Sequence, residues 1–565
     1  MAELFPQAKM KKLHTAIDWS VKQLDTPRKN RVSAIKDLVG KHYTANGSDA
    51  IMPVNALKLA IDVYVRYLAA RKPRGMFSSR VQGFEPVAKN FELAVNQIPD
   101  EIKLGNTLRQ IVIEALMSPM GVAKCGLHTS GSVLGYAYGE PFVDCVTLDN
   151  YFFDLSAKTW DQVQFEGNDY WMEFEDFKEW IDEKDRKDIK SDPHEILGED
   201  GQTVAESITA NSTADVYRER IWLRDVWLVA ERKLITYGVK SKKVFSVVDY
   251  APDMPDPYIK LWYSLVPGNL LPLPPVASWR DLNELANALF RKLGASADAY
   301  KEVLVFAGGD DAGAIAYKGA RHGDGINAGG MKQPETWSAG GIEPKSLVFY
   351  QQVKELFSYF TGNMDSLGGL APATQTIGQD KLLAEAAGAQ LRDMADQTVE
   401  FVRNIFKALA YYEWTNPIKT RTLKKNVAGQ IIDVDWTQEA KQGNFDYYDI
   451  DIDVYSLQDD SPGMRLQKLG VVMQQYVLPL MPAIQQVGGY FDVESLMRTV
   501  SKYSNLPELE TIVTFPDDPM PQTGSGQGST QQYIGAPKTQ QGGEPQGVPQ
   551  QGLSQDMMSQ LMASE

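Results

Sequence analysis

The chain has 565 residues, 43% of them hydrophobic and 23% charged, with 73 acidic against 57 basic residues and a formal net charge of −16. That length supports several packed layers and more than one domain. The acidic balance excludes a general nucleic-acid binder, whose affinity comes from Lys and Arg neutralising phosphates.

In chain order, the first 48 residues read as a helical segment. From Asp49 to Gly75, Leu57, Ile61, Tyr64 and Leu68 share one helical face, and Pro73 with Gly75 ends it. A second amphipathic helix is expected from Ile98 to Gly121. The apolar stretch Ile111 to Leu127 is broken by Glu114, Pro119 and Lys124. It falls short of the roughly 20 apolar residues of a membrane span, so no membrane is expected among the partners. From Leu127 the texture turns to strand: "VLGYAYG", "FVDCVTL" and the aromatic, acidic run after Asp149, followed by a short helix from Phe174 to Asp182. The polar segment Asp192 to Asp215 is expected to be mobile. Strands resume with "RIWLRDVWLVAERKLITYGV" and "KVFSVVDY".

Prolines crowd the stretch up to Val276, which implies stiff, extended backbone rather than helix or inner strand. Ser278 and Asp281 then have capping-box spacing, and Trp279, Leu282, Ala286, Leu289 and Leu293 keep helical spacing to about Tyr300. Short strand-like pieces amid many glycines follow. A further helix starts at Pro344 with Phe349, Val353, Leu356 and Phe360 as its stripe, and stops at Gly362.

After a loop of Gly, Ala, Ser and Thr, the pair Thr376 and Gln379 again has capping-box spacing, which starts a helix near Ile377. Leu383, Ala387, Leu391, Met394, Thr398, Phe401, Ile405 and Leu409 carry its stripe to Trp414, and Asn416-Pro417 ends it. At 1.5 Å per residue it is roughly 50 Å long. "NFDYYDIDIDVYSL" alternates, with Tyr448, Ile450, Ile452 and Val454 on one face. More helix is expected from Pro462 to about Tyr503. Beyond Pro516 the Gln, Gly and Pro content is too poor in apolar residues to fold alone.

Enzyme signatures are missing from the sequence. The five histidines, His14, His42, His128, His194 and His322, show no metal spacing, and there is no HExxH, GxSxG or Walker A motif. "HGDGINAGG" is GxGxxxG rather than a dinucleotide loop and reads as a turn-rich β module. Asp449, Asp451 and Asp453 resemble half a calcium loop, but Val454 stands where its glycine belongs, and alternation makes them the solvated face of a strand. The two cysteines, Cys125 and Cys145, form no CxxC and follow no secretory leader. They read as small buried hydrophobes in a reducing compartment. No catalytic, cofactor or metal residue is expected, and no cofactor.

The order of parts is the specific signal: helix, glycine-rich β module, helix, flexible loop, very long helix. In this arrangement and texture, from about Asp49 to Pro507, the chain resembles the portal proteins of tailed bacteriophages, the head-to-tail connectors. The resemblance implies an α+β portal fold. Residues 1–48 would precede the first part of the wing (49–276). The first stem helix (277–301), the clip (302–342) and the second stem helix (343–362) would follow. A tunnel loop (363–378), a long wing helix (379–416), the second part of the wing (417–460), a helical crown (461–515) and a disordered tail (516–565) would complete the chain. Trp279, Leu282, Leu289, Phe349, Val353 and Phe360 would pack the stem. Ser366, Gly368, Gly369, Thr374, Gln375 and Thr376 would face the DNA channel, and no Lys or Arg lies between Leu367 and Gln379.

The implied assembly is a homo-oligomeric ring, of twelve subunits in this family, at one vertex of the virion capsid. It forms in the host cytoplasm and passes double-stranded DNA during packaging and ejection. Terminase, tail adaptor proteins and the major capsid protein would be its partners. The glycine content of the clip and the segment 192–215 depart from the family's texture. A tail adaptor or internal head protein is the competing non-enzymatic reading, and a hydrolase built on "DIDID" the enzymatic one.

Overall fold

The computed structural model describes residues 5–40, 54–69, 72–128, 139–181, 189–191, 219–305, 311–322, 335–339, 341–362, 377–415, 421–427, 430–452 and 474. The chain divides into two units, Met1–Ser461 and Pro462–Glu565. All the elements below lie in the first. The expected crown, the C-terminal tail, most of "VLGYAYG" and the segment 192–215 fall outside the described residues.

The architecture is helices with several separate antiparallel sheets, compatible with α+β. Helices α1 (Gln7–Gln23), α2 (Asp25–Val39) and α3 (Ala56–Leu68) come first. All four residues of the expected α3 stripe are buried. Its N-cap is Asn55, whose side chain accepts from the Lys58 amide (3.0 Å). Strand β1 (Gly75–Ser79) and helices α4 (Glu85–Val95), α5 (Ile98–Glu101) and α6 (Leu104–Met117) follow. The helix expected from Ile98 is thus two, broken where Lys103 takes φ 53°.

The stretch after α6 is a strand that the sequence reading passed over. β2 (Gly121–Leu127) is the middle of a three-stranded sheet ordered β3-β2-β9, with β3 at Pro141–Val146 and β9 at Tyr258–Leu261. Gly121 starts it directly beneath α6, where a Cβ would collide with the Ile111 carbonyl. The proline-dense segment does contain extended backbone, and β9 lies at the sheet edge, where proline is tolerated. A five-stranded meander comprises β4 (Tyr151–Phe153), β5 (Phe165–Glu173), β6 (Arg220–Leu228), β7 (Lys233–Gly238) and β8 (Val244–Asp249), with α7 (Phe174–Trp180) after β5. The two cysteines lie on the neighbouring strands β2 and β3 as free thiols, Cys125 buried and Cys145 half-buried. Burial, aided by nearby carboxylates, pushes both thiols up to about 12.

Two main cores result. One packs α1 against the five-stranded sheet through Met10, Ile17, Leu24, Tyr151, Phe152 and Trp227. The other gathers α3, α4, α6 and the second half of a 39-residue helix, α11 (Ile377–Thr415), with β2 and the strand Tyr448–Ile452. Ion pairs also join the two sheets. Lys124 donates to Asp225 (2.6 Å) and Lys260 to Glu166 (2.7 Å), with Tyr170, Thr236 and Tyr151 satisfying the same carboxylates. Arg31 of α2 likewise bridges Glu114 and Asp149 with almost no exposure. Burial opposes its charge, but the hydrogen bond and attraction of those carboxylates outweigh burial and raise its pKa above the ordinary value.

Helix α8 (Pro275–Asp298) starts at Pro275, earlier than its capping-box reading required. Ser278 does not cap it: its hydroxyl donates back to the Pro275 carbonyl (2.9 Å), and the fixed φ of Pro275 supplies the first turn instead. After α8 come β10 (Lys301–Val305), α9 (Asp311–Gly319), β11 (Glu335–Ala339) and α10 (Pro344–Phe360). β10 and β11 pair antiparallel with α9 between them in sequence, so the glycine-rich module is strand, helix, strand rather than strands alone. α11 spans Ile377–Thr415 as expected, and Leu391, Met394, Thr398, Phe401, Ile405 and Leu409 are buried along it. Its side chains before Leu391 lie outside the described residues.

β12 (Arg421–Val427) and β13 (Gln430–Trp436) form a hairpin, and β14 (Tyr448–Ile452) pairs with β1. β14 alternates as expected, with Tyr448, Ile450 and Ile452 inside. Outside, Asp449 pairs with Arg80 (3.2 Å) and Asp451 with Arg403 (2.6 Å). The hydrogen bond from Arg403 holds the Asp451 carboxyl below its ordinary value. Asp453 lies outside the described residues. Among the described residues no three His, Cys, Asp or Glu side chains converge as a metal site would need, and no helix is long and apolar enough to cross a membrane.

Candidate functional site

The six channel-loop residues, Ser366, Gly368, Gly369, Thr374, Gln375 and Thr376, fall outside the described residues. The helix that precedes them, α10, and its partner α8 are described. α8 and α10 pack against each other, with Phe290 against Tyr350 (ring centroids 5.5 Å apart). The pair is anchored at one end. Trp279 is 1% exposed and packs on Tyr64 of α3 (5.1 Å). Tyr64 in turn donates to the carbonyl of Thr361, just beyond α10 (3.2 Å). Val353 and Phe357 complete the buried face of α10, while Leu282 and Leu289 of α8 are half-buried.

Two polar residues on α8 fix this anchor, and no apolar periodicity reveals them. Asn283 and Asn287 are fully buried. Asn287 grips Val54 like a neighbouring strand: its Oδ1 accepts from the Val54 amide (3.1 Å) and its Nδ2 donates to the Val54 carbonyl (2.9 Å). Asn283 accepts from the Leu57 amide (3.3 Å). Arg280 adds an ion pair with Asp37 and a hydrogen bond to Ser33 (2.7 Å). Their spacing, one helical turn apart on the face of Trp279 and Ala286, was the available signal.

Much of the remaining surface of the pair is bare. The expected stripe on α10 is mostly not buried: Phe349 is 47% exposed and Phe360 52%, and Leu356 is likewise exposed. Only Val353 of that stripe is buried, since α8 covers one face of α10 and leaves the others to solvent. Most of the exposed large apolar side chains among the described residues lie between Leu285 and Phe360. They include Ile315 and Tyr317 on α9 and Trp337 on β11. Fully burying one such side chain is worth about 1.5–3 kcal/mol. A concentration of them on one helix pair and its connecting module marks a surface built to be covered.

No protein-family model matches the chain, and no curated protein is significantly similar to it.

Proposed function

We propose that this chain is the subunit of a tailed-phage portal. It forms a non-enzymatic ring, of twelve copies, at one capsid vertex, through which double-stranded DNA is packaged and later ejected, and on which terminase and tail adaptor proteins dock. The observation that carries the reading is the helix pair α8 and α10, anchored at one end by Trp279, Asn283 and Asn287 and lined along its length with exposed apolar side chains. In a ring each pair lies against its neighbours, and Phe349, Leu356 and Phe360 find cover there. The strand–helix–strand module carries the exposed Ile315, Tyr317 and Trp337, and serves as the outer docking point.

The loop that leaves this pair and returns at Ile377 would then face the channel. No acidic or basic residue lies from Leu367 to Gln379, so these residues would touch moving DNA without neutralising its phosphates.

Negative-stain microscopy with mass photometry of the purified protein tests this. Rings with a central hole are expected. A compact monomer at all concentrations would overturn the reading, and a defined assembly without a channel would favour a tail adaptor or internal head protein.

A further inference from the structure

The five-stranded sheet has two edges, and they are treated differently. At the β4 edge the outward carbonyl of Tyr151 accepts from the Arg28 guanidinium (3.0 Å), and the Tyr151 amide donates to the Thr147 carbonyl (2.9 Å). That edge is closed. At the other edge β8 is bonded only to β7. The Tyr250 amide donates to the Arg232 carbonyl (2.8 Å), which fixes the alternation along β8. Tyr250, Val248 and Ser246 turn their backbone groups toward β7, and Val247 and Asp249 turn theirs away from the sheet. Among the described residues nothing bonds to the outward N–H and C=O groups of Val247 and Asp249.

This edge is also open to solvent. Val244 to Val247 are half-buried against the sheet, whereas Val248 is 44% exposed and Asp249 is exposed beside it. A bare and accessible edge is a template for another strand.

Charges set along such a strand ordinarily guard it. From Val244 to Val248 there are none. The lysines lie instead in the turn before β8. That turn is closed by the Lys242 amide on the Gly238 carbonyl (2.7 Å) and the Gly238 amide on the Lys243 carbonyl (3.1 Å). Lys240, Lys242 and Lys243 are all exposed there. A register shift at Phe245 separates the turn from the regular part of the edge. At the far end stands Asp249, ion-paired with Lys233 (3.0 Å). The edge therefore has a polarity, positive where β8 begins and negative where it ends.

We infer that β8 receives an extended strand from a partner protein, antiparallel to it and acidic toward its C-terminal end. Every pairing in this sheet is antiparallel, the arrangement with the stronger ladder. In that direction the acidic residues arrive at the lysine turn, and uncharged residues lie along Asp249. Ser246 to Asp249 span about 14 Å at about 3.4 Å per residue, so main-chain pairing supplies the affinity and the turn supplies the selectivity. The inference stands on the single chain and does not depend on the ring.

Amide hydrogen exchange on the full chain, resolved to single residues, tests it. The probe is the blocked peptide acetyl-Thr-Val-Thr-Val-Ser-Glu-Asp-Glu-amide, and its control carries three lysines in place of the three acids. Exchange at Val247 and Asp249 is expected to slow about fivefold when the free acidic peptide is about four times its Kd, because protection scales as 1 + [L]/Kd. The amides of Ser246 and Val248, already bonded to β7, should not change. The lysine peptide is expected to bind more weakly, and Lys242→Glu to narrow or reverse that preference. Asp249→Pro deletes one outward N–H and leaves the bonds to β7 in place. It is expected to weaken the acidic peptide about fivefold, the loss of one main-chain hydrogen bond. Both substituted side chains are exposed, and melting curves matching the unmodified chain confirm folding. Unchanged exchange at Val247 and Asp249 with both peptides would overturn the inference. Equal protection by the two peptides would do the same. Slow exchange of these two amides in the chain alone would mean that the edge is already covered, and would also overturn it.

Discussion

Arg31 shows how an acidic chain spends its cations. With 4% of its side chain exposed, it holds Glu114 through two hydrogen bonds (2.5 and 2.8 Å) and Asp149 through a third (2.6 Å). Removing it leaves two carboxylates buried without their counter-ion. Arg31→Met is therefore expected to lower the unfolding free energy by about 3–5 kcal/mol, read from urea denaturation. A loss below 1 kcal/mol would mean that water reaches the pair. The cysteines support a second expectation. Thiols pushed up to about 12 are almost wholly protonated at pH 8, and the thiolate is the reactive form. Iodoacetamide at pH 8 should leave both Cys125 and Cys145 unmodified in the native protein and alkylate both in urea. Lys124 illustrates what a sequence conceals at this scale. Its charge interrupts an apolar run and hid β2, and only the fold supplies Asp225 as the reason it is there.

Among the elements, those with long periodic stripes were legible and those defined by a neighbour were not. α11 was readable from Ile377 to its end because a capping pair followed by a 3.6-residue pattern over about seven turns has few alternatives. α9 was missed because Gly313 and Gly319 suggested turns, although Ala312, Ala314 and Ala316 were a helical signal. The phase of α10 was misread because periodicity locates apolar residues without saying which of them another element covers. Phe357, absent from the expected stripe, is 5% exposed, whereas Phe349 and Phe360 lie in solvent. This contrast separates folding from assembly. Phe357→Ala is expected to cost about 3–5 kcal/mol of chain stability. Phe349→Ser is expected to change it by about 0.5 kcal/mol or less while reducing ring yield in mass photometry. Equal melting losses for the two would show that Phe349 is covered within its own chain.

For the whole molecule, the channel reading can be tested through charge. In a ring, Gly368→Lys with Gly369→Lys would aim every added cation at one belt of phosphates, and counterion release would make their combined attraction large and salt-sensitive. Rings should form normally, and DNA packaging should slow at low salt and recover as salt rises. Unchanged packaging would mean that the loop never meets DNA. The loop itself was legible only as composition, since small uncharged residues carry no pattern from which a conformation follows.

The 39 residues of α11 have a mechanical consequence. The helix is about 58 Å long at 1.5 Å per residue, and its second half is clamped in the core by Phe401, Val402, Ile405 and Phe406. A rigid rod held at one end magnifies small movements at the other. A tilt of about 5° at Phe401 sweeps the Ile377 end, about 36 Å away, through about 3 Å. Core substitutions around Phe406 would thereby be felt far from where they are made.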